Sequence, residues 1–522
     1  MFRTIVHFVR LARAGFVLAR EGVLSNVDPV MVPPGMGFPL LAARLLARRG
    51  TVGGSSRLPI AIARLGPSYV KLGQFLATRP DVVGIDAARS LEALQDRMAA
   101  FSRDDAIRTV EAAFGQPLGQ VYETFGDAVA AASIAQVHKA TVRNGQGVRE
   151  VAVKILRPGV ERRFRRDLSD MYFAARLAER YSAEARRLKM VEVVDTLART
   201  VTMEMDFRLE AAAASEFAEN VAKDVDFHVP AIDWDRTAKA VMTLEWINGT
   251  PLSDLKGLDA REIDKPALGR TVIQSFLRHA VRDGFFHADM HQGNLFLDAD
   301  GRLCAVDFGI VGRLGLKERR FLAEILYGFI TRNYRRVAEV HFEAGYVPPR
   351  HSVDDFAMAI RAIGEPIHSR TADQISMARL LTLLFEITAL FDMKTRTELV
   401  LLQKTMVVVE GVARSLDPHL DMWSTADPVV RGWIEQNLGP AGMLHDAGRG
   451  IASLGRMALS LPDMLERAER LVSRFEAATE QGIPLSGASI ADIGRAEARS
   501  NRRSALALWT IAVLLAAALF LS

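Results

Sequence analysis

The chain has 522 residues, 49% hydrophobic and only 7% aromatic, with 66 Lys+Arg against 62 Asp+Glu and a net charge of +4. That length exceeds one average core and points to two to four structural units. So even a charge balance gives no footing for nucleic acid as a partner, and a single cysteine, Cys304, excludes an internal disulfide framework and a cysteine-based zinc site.

At the N-terminus Arg3, His7, Arg10, Arg13 and Arg20 fall on one side of a helical wheel, and Ile5, Phe8, Leu11, Ala12 and Phe16 occupy much of the rest. Charges interrupt the apolar run, so the segment does not read as a signal peptide. It reads as an amphipathic helix, lying in a membrane interface or packed on the protein surface. After the Pro/Gly-rich stretch Pro33–Pro39 and Gly53-Gly54, a helical region begins near Leu58 and contains Lys71-Leu72-Gly73-Gln74.

Around 115–126 the texture changes to strand and turn. The alanine-rich run Ala130-Ala131-Ala132-Ser133 continues to His138 and reads as a small-residue turn or helix start. Glycine would let a backbone come closer to phosphates; alanine admits near approach but restricts φ. Gly145-Gln146-Gly147 makes a turn, and Val151-Ala152-Val153-Lys154 follows as a buried strand, ended by Arg157-Pro158-Gly159. An unpaired ammonium at Lys154 would be costly to bury, so a carboxylate on a following helix is expected. The charged helical stretch Val160–Glu219 offers Glu204 and Glu210, which lie six residues apart and cannot closely share one helical face.

A strand over Ala238–Leu244 leads into Glu245-Trp246-Ile247-Asn248-Gly249. Thr271–Val281 has helical periodicity, stopped by Asp283-Gly284. Next come His287-Ala288-Asp289-Met290-His291-Gln292-Gly293-Asn294 and, eighteen residues after Asp289, Asp307-Phe308-Gly309. Leu295–Leu297 and Leu303–Val306 read as short strands joined by a turn at Asp298-Ala299-Asp300-Gly301, with Cys304 a small buried hydrophobe. Two carboxylates and a carboxamide at the ends of a hairpin suit Mg²⁺ on a triphosphate beside an acceptor, because Mg²⁺ takes hard oxygen ligands. The chain then reads as mainly helical to about Asn437. A linker follows at Gln481–Gly494, and then an uncharged apolar run, Ala505–Ser522. As a helix that run would span roughly 27 Å, against about 30 Å for a hydrocarbon core. Arg495, Arg499, Arg502 and Arg503 precede it and place the bulk of the chain on the cytoplasmic side.

Lys71–Gln74 (a K-x-G-Q motif), the alanine-rich loop, the Lys154 strand, Arg157-Pro158-Gly159, Glu204-x-Asp206, the His287–Asn294 loop and Asp307-Phe308-Gly309 occur in one order over roughly residues 58–315. In these motifs the chain resembles the UbiB/ABC1 family of atypical kinase-like proteins, also called ADCK. The resemblance implies an α+β, protein-kinase-like bilobal fold with added N-terminal helices, and a C-terminal transmembrane helix. It divides the chain into an N-terminal membrane-surface extension (1–57), the K-x-G-Q helical extension (58–118) and a small lobe with a helical insert (119–249). A large lobe (250–440), a helical tail and linker (441–503) and the membrane helix (504–522) complete it.

By the same resemblance Lys154 binds phosphates and pairs with Glu210, and Asp289 takes the catalytic-base position. Asn294 and Asp307 hold Mg²⁺. Ala130, Ala131, Ala132, Ser133, Glu245 and Ile247 contact ATP, while Lys71, Gly73, Gln74, Glu204 and Asp206 form a family-specific cleft over the site where a protein substrate would dock. The implied activity is Mg²⁺-dependent ATP hydrolysis supporting ubiquinone biosynthesis, through lipid or quinone precursors or the other biosynthetic enzymes. The implied setting is a bacterial inner membrane, and a homodimer is among the implied partnerships. A protein kinase and a nucleotide-binding scaffold are the alternatives. The family loop usually reads H-A-D-P-H-P-G-N. Here Met290 and Gln292 replace both prolines, which predicts a less rigid loop with its chemistry intact.

Overall fold

Between Thr124 and Glu245 the chain builds a five-stranded antiparallel sheet in the order β1-β2-β3-β6-β5. Its strands are β1 (Thr124–Ala131), β2 (Ala135–Asn144), β3 (Gly147–Leu156), β5 (Ile232–Ala238) and β6 (Val241–Glu245); β4 is the short Phe227–His228. The computed structural model describes residues 2–23, 57–77, 79–92, 94, 99–145, 147–367, 386–388, 390–393 and 397–438. Two compact units divide the chain, Met1–Gln436 and Asn437–Ser522. The second falls almost wholly outside the described residues, and with it the expected linker and the membrane helix at 504–522. Among the described residues no helix is long and apolar enough to cross a membrane.

In β3 the pleat sends Val151, Val153 and Ile155 to one face, where they are fully buried, and Lys154 to the other. Helix Arg103–Phe114 covers the first face, packing Ala106 and Val110 on those strand residues with Tyr122 and Val142. Ser102 caps this helix by accepting the Asp105 N–H, and Gly115 ends it in the left-handed conformation. The strand expected at Ala238–Leu244 is split, because a turn at Lys239-Ala240 separates β5 from β6. The expected continuous helical stretch 160–219 is also broken. Ser182, Lys189 (φ +51°) and the N-cap Asp206 divide it, leaving Val160–Tyr181, Met190–Glu204 and Phe207–Asn220 as its main helices.

The N-terminal helix α1 (Phe2–Arg20) rests on Val160–Tyr181. The His7 ring stacks on Phe173 with centroids 5.2 Å apart, and its Nδ1 lies 2.5 Å from Asp170. His7 therefore belongs to the inward face and not to a solvated basic one. Facing out are Ile5, Val9 and Phe16 with Arg13 and Arg20, while Arg10, though exposed, reaches Asp170 at 3.7 Å. Helices Arg57–Leu65 and Pro67–Ala77 follow, the second carrying Lys71–Gln74.

Past Glu245 the chain is not purely helical. Strands β7 (Gly249–Pro251), β9 (Leu295–Asp298) and β10 (Leu303–Ala305) form a sheet with β4, and β8 (Phe285–His287) pairs with β11 (Val311–Arg313). The expected hairpin is present, with Leu303 opposite Leu297. Its turn is held by Asp298, which accepts from the backbone N–H groups of Asp300 and Arg302. Helix Lys265–Arg278 runs into one π-turn, His279–Asp283, which Gly284 ends at φ +67°. These elements share one core with helices Thr397–Leu416 and Met422–Leu438.

Candidate active site

Lys154 leaves β3 on the face opposite the strand's core residues and meets helix Phe207–Asn220 one turn past its N-cap. Its Nζ stands 2.7 and 3.0 Å from the two Glu210 oxygens and 3.0 Å from Asp307 Oδ1. Burial alone would lower the Lys154 pKa; Asp307 and Glu210 outweigh it and hold the ammonium above its ordinary value. Glu210 is 8% exposed, and its burial, with Asp307 adding, pushes its carboxyl up to about 7 against the pull of Lys154. Asp307 is half exposed at its side chain; the protein packed around it would raise its carboxyl, but Lys154, with Lys71 and His287 beyond it, holds it well below the usual range.

Asp307 adopts φ +65°, a left-handed conformation that Asp tolerates better than most residues and that tertiary packing must hold. Gly309 leaves the room this needs, since a Cβ there would lie 3.2 Å from Asp307 Oδ1. Phe308 is buried between Phe217 and His287, each ring 5.0 Å from its own. His287 accepts the Asp289 N–H at Nδ1 (3.0 Å), so the proton sits on Nε2, which donates to the Val306 carbonyl (3.0 Å). Asn294 gives an amide hydrogen to the Asp289 carbonyl at 3.0 Å. Its side-chain oxygen and the Asp307 carboxylate are hard ligands suited to Mg²⁺, which usually takes few protein groups beside substrate phosphates. Among the described residues there is no cluster of three or more His, Cys, Asp or Glu that would hold a metal alone. Asp289 is partly exposed, with Oδ2 3.7 Å from His291 Nε2.

The alanine-rich segment ends β1 at Ala131 and then makes the β1–β2 turn, closed by the Ala132 N–H on the Ala135 carbonyl at 2.8 Å. Ala130 is exposed, Ala131 and Ala132 half-buried, and Ser133 fully buried. Arg157 staples this turn to the preceding segment, donating to the carbonyls of Ala132 (3.1 Å) and Ala99 (2.9 Å). Glu245 is the last residue of β6 and Ile247 lies just past it, but the Glu245 side chain is turned to His228 and the Ala231 N–H, each at 3.2 Å.

Of the K-x-G-Q residues, Lys71 meets Glu204 at 2.9 Å, and its charge is felt at Asp307. Gly73 is buried where a side chain would strike Leu94, Ile62 and Leu91; Gln74 is half-buried on the same helix. Asp206 has a different part from its neighbour: it caps Phe207–Asn220 and forks with Arg208 at 2.9 and 2.6 Å. Sequence reading missed the Phe217–Phe308–His287 stack and the contacts that helix Thr397–Leu416 makes with the loop around Asp289. Each joins residues far apart in the chain, with no local spacing to reveal it.

The family model for the ABC1 atypical kinase-like domain matches residues 93–341, and that for the UbiB helical domain matches 360–421. A protein from Marinobacter nauticus named "Probable protein kinase UbiB" is 39% identical over 500 residues, 95% of this chain and 90% of that one. A protein of the same name from Pseudomonas aeruginosa is 38% identical over 417 residues, 79% of this chain and 78% of that one. Among solved structures, the Rv3197–erythromycin complex from Mycobacterium tuberculosis aligns with TM-score 0.49 and 26% identity, over 69% of this chain and 90% of that chain. With the identity to curated relatives running through nearly the whole sequence, the chain belongs to the UbiB/ABC1 family of atypical kinase-like proteins.

Proposed function

We propose that the protein is a membrane-associated, Mg²⁺-dependent atypical kinase-like ATPase that supports ubiquinone biosynthesis by handling lipid precursors or the enzymes that act on them. The observation that carries the reading is the ion triad of Lys154, Glu210 and Asp307 beside the loop that bears Asp289 and Asn294. A nucleotide-binding scaffold would have no need of all of these groups in one place. In this reading Lys154, fixed by Glu210, orients the phosphates of ATP. Asn294 and Asp307 would hold Mg²⁺, which neutralises phosphate charge when bound. Water attacks the γ-phosphorus, the bond to the β,γ-bridging oxygen breaks, and Asp289 takes the proton from the attacking water. ADP and inorganic phosphate leave.

The acceptor reading rests on the K-x-G-Q helix, whose Lys71 pairs with Glu204 and acts electrostatically on Asp307; a protein substrate would have to displace that helix. Membrane association is supported by the outward face of α1, where Ile5, Val9 and Phe16 stand beside Arg13 and Arg20. The relatives' printed name favours a second reading, transfer of the γ-phosphate to a partner protein.

The test follows the γ-phosphate of labelled ATP given to the full chain with Mg²⁺ and anionic vesicles containing a quinone precursor. Free phosphate that vesicles raise and Asp307→Asn abolishes is the expected result. Label on a protein would establish the second reading, and nucleotide binding without label movement would overturn both.

A further inference from the structure

The loop bearing Asp289 alternates in direction. Ala288 and Met290 are buried, at 2% and 0% exposure, and Gln292 is half-buried; Asp289 is partly exposed and His291 exposed. Ala288 and Gln292 meet one element, helix Thr397–Leu416, more than a hundred residues downstream, and Met290 lies in the core that this helix helps to build. Thr405 Oγ1 lies 3.1 Å from the Ala288 carbonyl and 2.8 Å from that of Leu401, sharing one proton between them. Met290 packs in the core that holds Leu402, Val409, Val412, Ala413 and Leu416 of the same helix. Gln292 Nε2 donates to Ser415 Oγ at 2.7 Å, while the Ser415 hydroxyl spends its proton on the Val412 carbonyl at 2.6 Å. That leaves Ser415 only an acceptor, so the Gln292 amide must present its N–H side to it.

We infer that Gln292 and Ser415 form a latch by which helix Thr397–Leu416 positions Asp289. No residue of this loop is proline. A proline would restrict the loop through its own ring. Here the restriction comes from outside, through one buried thioether side chain and one hydrogen bond, so the loop is rigid only while the helix is in register beneath it. Gln292, Ser415 and Thr405 are positioning residues, since none touches the reacting atoms. The inference rests on Asp289 serving as the base, and the kinase-like region and the helical region then form one catalytic unit.

The experiment uses the full chain with Gln292→Ala, Ser415→Ala, the double variant, Ser415→Thr, and Asp289→Asn as the control on the base. Two quantities are read: amide hydrogen exchange across 288–294, and kcat and KM for ATP per mole of nucleotide-binding sites. Each alanine variant should speed exchange there, and lower kcat, by about fivefold, the order expected for one lost hydrogen bond. KM for ATP should stay within about twofold, since the latch acts on the step after binding. The double variant should be no worse than either single one, and Ser415→Thr, which keeps the hydroxyl, should behave as the parent. Unchanged exchange in the single variants, or losses that multiply in the double one, would overturn the latch. Full turnover in Asp289→Asn would overturn the base reading instead, and exchange would still judge the latch without reference to turnover.

Discussion

The Lys154 ammonium is held by both oxygens of Glu210, at 2.7 and 3.0 Å, although the two residues are 56 positions apart. Strand β3 and helix Phe207–Asn220 bring them together, and neither charge is stable there alone. Glu210 is almost wholly buried, so its carboxylate is tolerable only with a cation beside it. Asp307 completes the triad from a third element.

Lys154→Met should therefore do more than remove the proposed phosphate ligand, because it leaves Glu210 and Asp307 facing each other. ATP turnover is expected to fall by a factor of about 100 or more, the usual scale for deleting one preorganised charge. Glu210→Gln, which keeps the shape, should fall less. Phosphate release together with nucleotide binding checks this, and parent-like turnover in Lys154→Met would rule the triad out of catalysis.

Lys71 and Glu204, 2.9 Å apart, are 14% and 11% exposed at their side chains. Lys71→Met strands a nearly buried carboxylate. It should lower stability more than the double variant Lys71→Met/Glu204→Gln, in which no charge is left unpaired. Denaturant midpoints of the two proteins decide it; a double variant no more stable than the single would show that the pair is not coupled.

Gly312 pairs with Phe286 across β8 and β11, and a Cβ at that position would run into the fully buried Phe286 ring. Gly312→Ala is expected to cost about 1–3 kcal/mol by overpacking, and to disturb His287 next to Phe286. Urea denaturation reads the first effect and ATP turnover the second.

His138, His279, His287 and His341 are all held below their ordinary pKa of 6.5, first of all by burial. The unfolded chain then takes up protons that the folded one refuses. Their contribution is complete above 6.5 and is lost as the pH falls through that value towards each lowered pKa. Glu210, raised from 4.5 to about 7, works in the opposite sense over the same range, one group against four. The melting temperature should fall on acidification from about pH 7 to about pH 5.5; an unchanged or rising value would contradict the burial of these rings.

Val9→Asp or Phe16→Asp on α1 places a carboxylate in the outward apolar stripe without touching His7, Asp170 or Phe173. Co-sedimentation of the full chain with anionic vesicles should weaken while turnover without vesicles stays level. Equal sedimentation of parent and variants would remove α1 from any lipid contact.

Much of the site was legible in the sequence because its chemistry is carried by short local patterns. Lys154 sits in an apolar strand, Asp289 and Asn294 precede a hairpin, and Asp307 follows it; a strand's two-residue period and an Asp-Gly turn are enough to place them. The same locality fixed Cys304 in the core and Asp283-Gly284 as a helix stop. Packing between distant elements decided the rest. Glu210 and Glu204 both lie in an acidic stretch, and only the break at Asp206 gives one to Lys154 and the other to Lys71. The wheel of α1 could not tell which face would find a partner, and His7 went inward because Asp170 was there to receive it. The missing prolines predicted a looser loop from local stiffness alone, and nothing local could show that Gln292 meets Ser415 of a helix far along the chain. Local pattern determines what a residue can do; which partner it meets depends on contacts whose free energy exists only once the whole fold has closed.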